Sequence, residues 1–188
     1  MAAAEAELEL EFPADLRQAY LRHDGDSEPH WMRHGEIRLS SPFINFRWCP
    51  LEEVRERWRY SKTYFAANQS LNQEWLDALD DLDVSASEVL LDMWDPHRIP
   101  VGRNLTSSVL SIDLKPGGAG VVGQMIEERM DWEPCVVAPS IGAYFARLAE
   151  LLDSGVIGHD LRLGFVEAGT QRRLRGLFPS TSYWPDGC

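Results

Sequence analysis

Asp92, Asp95 and His97 bring two carboxylates and an imidazole within six positions, donors that Mg²⁺ or Ca²⁺ would accept and that a small metal-dependent hydrolase would need to converge in a pocket. Pro96 interrupts the group and the spacing is not that of an EF-hand loop, so the plainer expectation is a strand end turning into a proline loop. His30 and His34 are four apart, but Pro29 and Gly35 oppose the helix that would present both rings to one zinc ion. Pro116-Gly117-Gly118-Ala119-Gly120 has the glycine content of a phosphate cradle without its Gly-Lys-Ser/Thr ending, and a strand-like run follows instead of a helix. It reads as a hairpin loop whose glycines supply positive φ angles. No Gly-x-Ser-x-Gly elbow occurs, and neither Cys49 nor Cys135 has the surroundings of an activated thiolate. Carboxylates such as Asp80 and Asp81 would need burial or a like-charged neighbour in a cleft to do acid–base work. The expectation is a protein with no catalytic residues, no metal and no cofactor.

What the chain carries densely is negative charge: 30 Asp and Glu stand against 18 Lys and Arg, for a net charge of −12. Nucleic acid and anionic membranes are polyanions held by Lys/Arg patches, so this balance argues against both and for a basic protein partner. From Thr63 to His97 there are eight acids (Glu74, Asp77, Asp80, Asp81, Asp83, Glu88, Asp92, Asp95) and no Lys or Arg. Such a run either keeps a protein dissolved or forms a docking face that steers and pairs with Lys/Arg of a partner. On the second reading Asp77, Asp80, Asp81, Asp83 and Glu88 are the candidate contacts. Trp31, in a loop with Pro and Gly, joins them as an aromatic anchor or else folds back as a lid on the core. Tyr60, Tyr64 and Phe65 read with Trp58 as core around one helix.

The length of 188 residues and a 44% hydrophobic content with seven Trp suffice for one core, with room for an extension. No stretch approaches the roughly 18 apolar residues of a membrane helix. Glu5, Glu7, Glu9 and Glu11 replace the basic start of a secretory signal, which points to the cytoplasm. Cys49, Cys135 and Cys188 are odd in number, far apart and without a CxxC pair, which argues against a disulfide framework or a cysteine-rich zinc site.

Residues 1–11 read as a solvated acidic lead-in. Pro13 opens a helix that runs to about Asp24, with Leu16, Ala19, Tyr20 and His23 on one stripe and Gly25 as its stop. A loop over 26–35 and a short strand over 36–40 follow. Pro50 starts a second helix with Leu51, Val54 and Trp58 on one face, and a third covers 73–82 with its aspartates outward. Glu88 to Trp94 reads as a strand, and 95–102 as a turn-rich connection. Leu110, Ile112 and Leu114 alternate, and Val121 to Glu127 forms the second arm of a β-hairpin across the glycine loop. Ser140 caps a helix whose stripe is Ile141, Tyr144, Phe145, Leu148 and Leu152, with Gly155 after its end. Residues 156–188, rich in Arg, read as an extension packed on the domain.

The order of these signals resembles the SUKH superfamily, which includes the yeast cell-wall-assembly regulators and many bacterial immunity proteins. Phe12-Pro13-Ala14-Asp15-Leu16-Arg17-Gln18-Ala19-Tyr20 followed by His23-Asp24-Gly25 is similar to the family's opening helix and turn. Ile99-Pro100-Val101-Gly102, Leu110 to Leu114, Gly117 to Gly120 and Val122 to Ile126 are similar to its central strands and Gly-rich turn, and Val137-Ala138-Pro139-Ser140 leads into its closing helix. The resemblance covers residues 12–155. It implies an α+β fold with a mixed, mainly antiparallel central sheet and helices packed on it. It also implies a non-enzymatic immunity protein that neutralises a cognate toxin by direct binding; the alternatives are a regulatory scaffold of the cell-wall-assembly type and, least favoured, a small metal-dependent hydrolase.

Overall fold

The computed structural model describes residues 1–26, 41–44, 46–68, 87–92, 95–104, 108–129, 132–160, 164–170 and 172. Its order is α1 (Ala2–Leu8), α2 (Ala14–Arg22), β1 (Arg47–Trp48), α3 (Leu51–Ala67), β2 (Arg98–Arg103), β3 (Val109–Asp113), β4 (Gln124–Arg129), β5 (Trp132–Ala138), α4 (Ile141–Asp153), β6 (Ile157–Asp160) and β7 (Gly164–Glu167). Strands β1 to β5 form one sheet in chain order, every pairing antiparallel, and β6 with β7 forms a separate hairpin. This is the expected α+β architecture.

Alternation along the strands sends Ile99, Val101, Leu110, Ile112, Met125 and Ala138 to one face, where they meet Leu16 and Tyr20 of α2, Val54 and Trp58 of α3, and Ile141, Tyr144 and Leu148 of α4. Pro13 and Pro50 stand at the N-caps of α2 and α3, where a missing N–H costs nothing. Neither cap has a side-chain bond of its own. Asp24 instead accepts from Leu51 N at 2.8 Å, and Asp15 accepts from Gly142 N at 2.9 Å, so two acids of the α2 region cap two other helices.

The turn after α2 is zipped to the segment before α3. Asp26 N donates to Trp48 O at 2.9 Å, Asp26 Oδ2 accepts from Trp48 N at 2.7 Å, and Tyr20 OH donates to Cys49 O at 2.9 Å. Gly25, at φ +72°, lets the chain pass so close that an added Cβ would stand 2.4 Å from Pro50 N. Trp48 collects Tyr20, Phe43 and Phe145 around its ring at centroid distances of 5.3, 5.4 and 5.8 Å.

At α4 the sequence and structure agree. Ser140 Oγ accepts from Ala143 N at 3.1 Å, and Ile141, Tyr144 and Leu148 are buried. Ser140→Ala should lower stability by about 1 kcal/mol, read as a lower urea midpoint with unchanged slope. An unchanged midpoint would mean that Asp15 alone caps α4.

Several expectations change. Residues 1–11 are not a solvated lead-in: α1 buries Ala4 and Leu8, and its acids pair with α2 and α3. Residues 95–102 are not a turn-rich connection throughout, because Arg98 onward is strand β2. Pro100 fits there at a register shift between Pro100 and Gly102, where the ladder is already irregular. Residues 87–92 are irregular chain, with Val89 buried. Strand β4 starts at Gln124, leaving Val121 and Val122 exposed in the loop. Strand β5 went unread because Pro134 breaks its pattern, which an edge strand tolerates. Tyr60 and Tyr64 are 60% and 42% exposed and stack on each other, so they are not core. The 26–35 loop (beyond Asp26), the 36–40 strand and the 73–82 helix lie outside the described residues. Cys49 is a buried free thiol, whereas Cys135 is in a disulfide, which the spacing argument did not anticipate.

Candidate functional site

The sheet face away from the apolar core is polar. The pairings Arg98 with Asp113, Asp113 with Gln124 and Ser111 with Ile126 put Arg98, Ser111, Asp113 and Gln124 together on it, and all four are buried. What they hold is the segment 87–92, the C-terminal part of the acidic run. Arg98 donates to Asp92 O at 2.8 Å, to Leu90 O, and to Glu128 Oε2 at 2.8 Å, while Ser111 Oγ donates to Glu128 Oε1. Gln124 Nε2 donates to Glu88 O at 2.8 Å and to Asp113 Oδ2 at 3.2 Å.

Burial works against charge on the Arg98 guanidinium, but Glu128 beside it, with Asp113 and Asp95 near, wins and raises its pKa. Asp113 is pushed up by burial, which Arg98 and the N–H of Lys115 only partly offset. The result is a strap fixed to the sheet through its backbone carbonyls.

The glycine loop closes over the strap. Gly117 N donates to Glu88 O at 3.2 Å and Ala119 N to Ser87 O at 3.1 Å. An added Cβ on Gly117 would stand 2.1 Å from Ser87 O, and one on Gly120 2.1 Å from Glu88 O. These glycines serve close backbone approach rather than positive φ, a correction to the hairpin reading; in this loop Gly123 alone, at φ +90°, has that conformation.

Of the sequence-derived contacts, Glu88 lies on this strap, half-buried, with its carbonyl engaged as above. Trp31, Asp77, Asp80, Asp81 and Asp83 lie outside the described residues. Asp95 and His97 do meet: Nδ1 of His97 is 2.7 Å from Asp95 Oδ1, which also accepts from His97 N at 2.8 Å, and Lys115 Nζ lies 3.8 Å from Asp95 Oδ2. Asp95 is thus consumed in closing its own turn. Among the described residues no group of three or more His, Cys, Asp and Glu is placed to hold a metal ion, and no described helix is long and apolar enough to cross a membrane.

The opposite end of the charge distribution is internally balanced. Glu5 accepts from Phe12 N at 2.9 Å and pairs with Arg17 at 2.7 Å; Glu7 pairs with Arg55 and Arg59; Glu9 pairs with Lys62 at 2.9 Å. Burial alone would raise the Glu5 carboxyl, but Phe12 N–H and Arg17 hold it low, and Arg55 with Arg59 does the same for Glu7. With those bases committed, the run from Glu74 to Asp92 has no base of its own between Lys62 and Arg98. Sequence reading missed the pinning residues Arg98, Gln124 and Glu128, because the alternate positions beside them are Pro100 and Ile126 and no run of charge marks the face.

A five-stranded antiparallel sheet with an apolar helix-covered face, and a strap pinned by backbone carbonyls to a buried polar cluster on the other, defines an α+β domain. The chain belongs to the SMI1 / KNR4 family (SUKH-1), whose sequence model matches residues 1–147. It is also 28% identical over 173 residues to a glucan synthesis regulatory protein of Neurospora crassa, covering 80% of this chain and 32% of that protein. The chain therefore spans about a third of the length of that curated relative.

Proposed function

We propose that this chain is a non-catalytic protein-binding domain of the regulatory-scaffold type, which docks a basic partner protein on its acidic 74–92 stretch and acts in the cytoplasm. The observation that carries the reading is the strap. Arg98 and Gln124 hold it through carbonyls, which fixes the C-terminal end of an acidic run against the sheet. The likeness to a glucan synthesis regulatory protein favours regulation of endogenous proteins.

A second reading keeps the same surface and changes the partner. The net charge of −12 complements a basic toxin, whose Lys/Arg side chains this face would cover in an immunity complex. Asp77, Asp80, Asp81, Asp83, Glu88 and Trp31 are the contacts in either case.

Simultaneous Asp80→Lys, Asp81→Lys and Asp83→Lys should weaken association with the captured partner by at least about tenfold at low salt and flatten its salt dependence. Calorimetric titration of the two purified proteins measures both. Equal affinity and an equal salt slope would remove this face from consideration.

A further inference from the structure

Helix α1 is short, seven residues, with no side-chain N-cap bond, and it ends at Glu9 with φ 55°, a left-handed conformation without glycine. It buries two side chains, Ala4 and Leu8. Its ion pairs to α3 are Glu7 to Arg55 and Arg59, and Glu9 to Lys62. Those bases lie on one side of α3 at i, i+4 and i+7, next to the seat that Leu8 fills. Among the arginines and lysines of α3, this row is thus matched by an acidic amphipathic helix with one apolar anchor.

We propose that this side of α3 is a second docking surface, for an acidic amphipathic segment of a partner protein, and that α1 occupies it in the resting chain as a releasable latch. The resident helix displays what fits: a leucine-sized anchor with a carboxylate on the residue before it and another on the residue after it. The Glu9–Lys62 pair is exposed and the Glu7 pairs are only partly buried; such pairs contribute little each and are screened by salt, so the latch opens more readily than the core. Opening takes the Glu7 and Glu9 carboxylates away from Arg55, Arg59 and Lys62 and uncovers the seat of Leu8, a combination that favours an acidic helix over a neutral one, although Arg55 keeps Glu52 and Lys62 stays over the Trp58 ring. The surface is made by residues of α1 and α3, none of which belongs to the 74–92 run, so the inference does not depend on the proposed function.

Native-state hydrogen exchange on the full chain tests the latch between about 10 mM and about 1 M salt, across which the screening length falls from about 30 Å to about 3 Å. The amides of Glu5 and Phe12 should exchange at least about tenfold faster at high salt while those of α4 hold steady. Exchange of α1 only together with α4 would overturn the latch. A synthetic peptide of residues 1–11 then probes the surface at low salt by chemical-shift titration. It should bind full-length Leu8→Ala at least about tenfold more tightly than the unsubstituted chain, because the competing intramolecular helix is weakened. It should not bind once Arg55→Glu and Arg59→Glu are added. Equal binding to all three proteins would overturn the docking surface, and should Leu8→Ala not fold, the exchange experiment on the unsubstituted chain still decides.

Discussion

Gly25→Ala should destabilise this protein strongly although it adds only one methyl group. The residue stands at φ +72°, and the new Cβ would come within 2.4 Å of Pro50 N and 2.6 Å of Cys49 C, both main-chain atoms. Neither can rotate away, so either the turn or the start of α3 must move. Moving it breaks what the turn ties together: Asp24 to Leu51 N, Asp26 to Trp48 N and Tyr20 to Cys49 O. A loss of about 4 kcal/mol is expected, a large share of the roughly 5–15 kcal/mol that holds a domain together. Urea unfolding followed by Trp fluorescence reads it directly. A loss under about 1 kcal/mol would mean that the turn relaxes freely and does not fix the start of α3.

Arg98→Met should come next. It keeps most of the side-chain volume and removes the charge, leaving Glu128 with the Ser111 hydroxyl alone and the carbonyls of Leu90 and Asp92 without Arg98. Breaking one side of such a buried pair costs about 3–5 kcal/mol. Adding Glu128→Gln removes the stranded charge and should recover at least about 1 kcal/mol, the coupling a double-mutant cycle isolates. Beyond stability, the strap would come loose at its Leu90–Asp92 end, so partner affinity should fall in the Arg98→Met protein even under conditions where it stays folded. Full stability in Arg98→Met would mean that Gln124 and the glycine loop hold the strap unaided.

Helices α2, α3 and α4 were legible because they carry local signals. Pro13 and Pro50 mark two starts, Gly25 one stop, and Ser140 with its apolar stripe marks α4 before any tertiary contact is known. The β3–β4 hairpin was legible through its alternation, although its loop is longer than a tight turn, running from Leu114 to Gly123. What escaped notice depends on distant partners. Glu5, Glu7 and Glu9 look like a solvated tail until Arg17, Arg55, Arg59 and Lys62 are brought beside them. Arg98 in Ile-Pro-Val surroundings looks like a loop residue until Glu128 arrives from 30 positions away. The same is true of Asp15 and Asp24, ordinary helix acids in sequence that cap α4 and α3 in space. The candidate site was half legible: the acidic run is plain in the composition, whereas the carbonyl-held strap beneath Glu88 needs the sheet to be assembled first.

Affinity capture from the native host, with the full chain and its Asp80→Lys/Asp81→Lys/Asp83→Lys form as parallel baits at low and high salt, tests the central claim most directly. A basic protein should be retained by the unsubstituted chain at low salt, released at high salt, and missing from the charge-reversed bait. Retention of the same proteins by both baits at both salts, or capture of no protein by either, would contradict that claim.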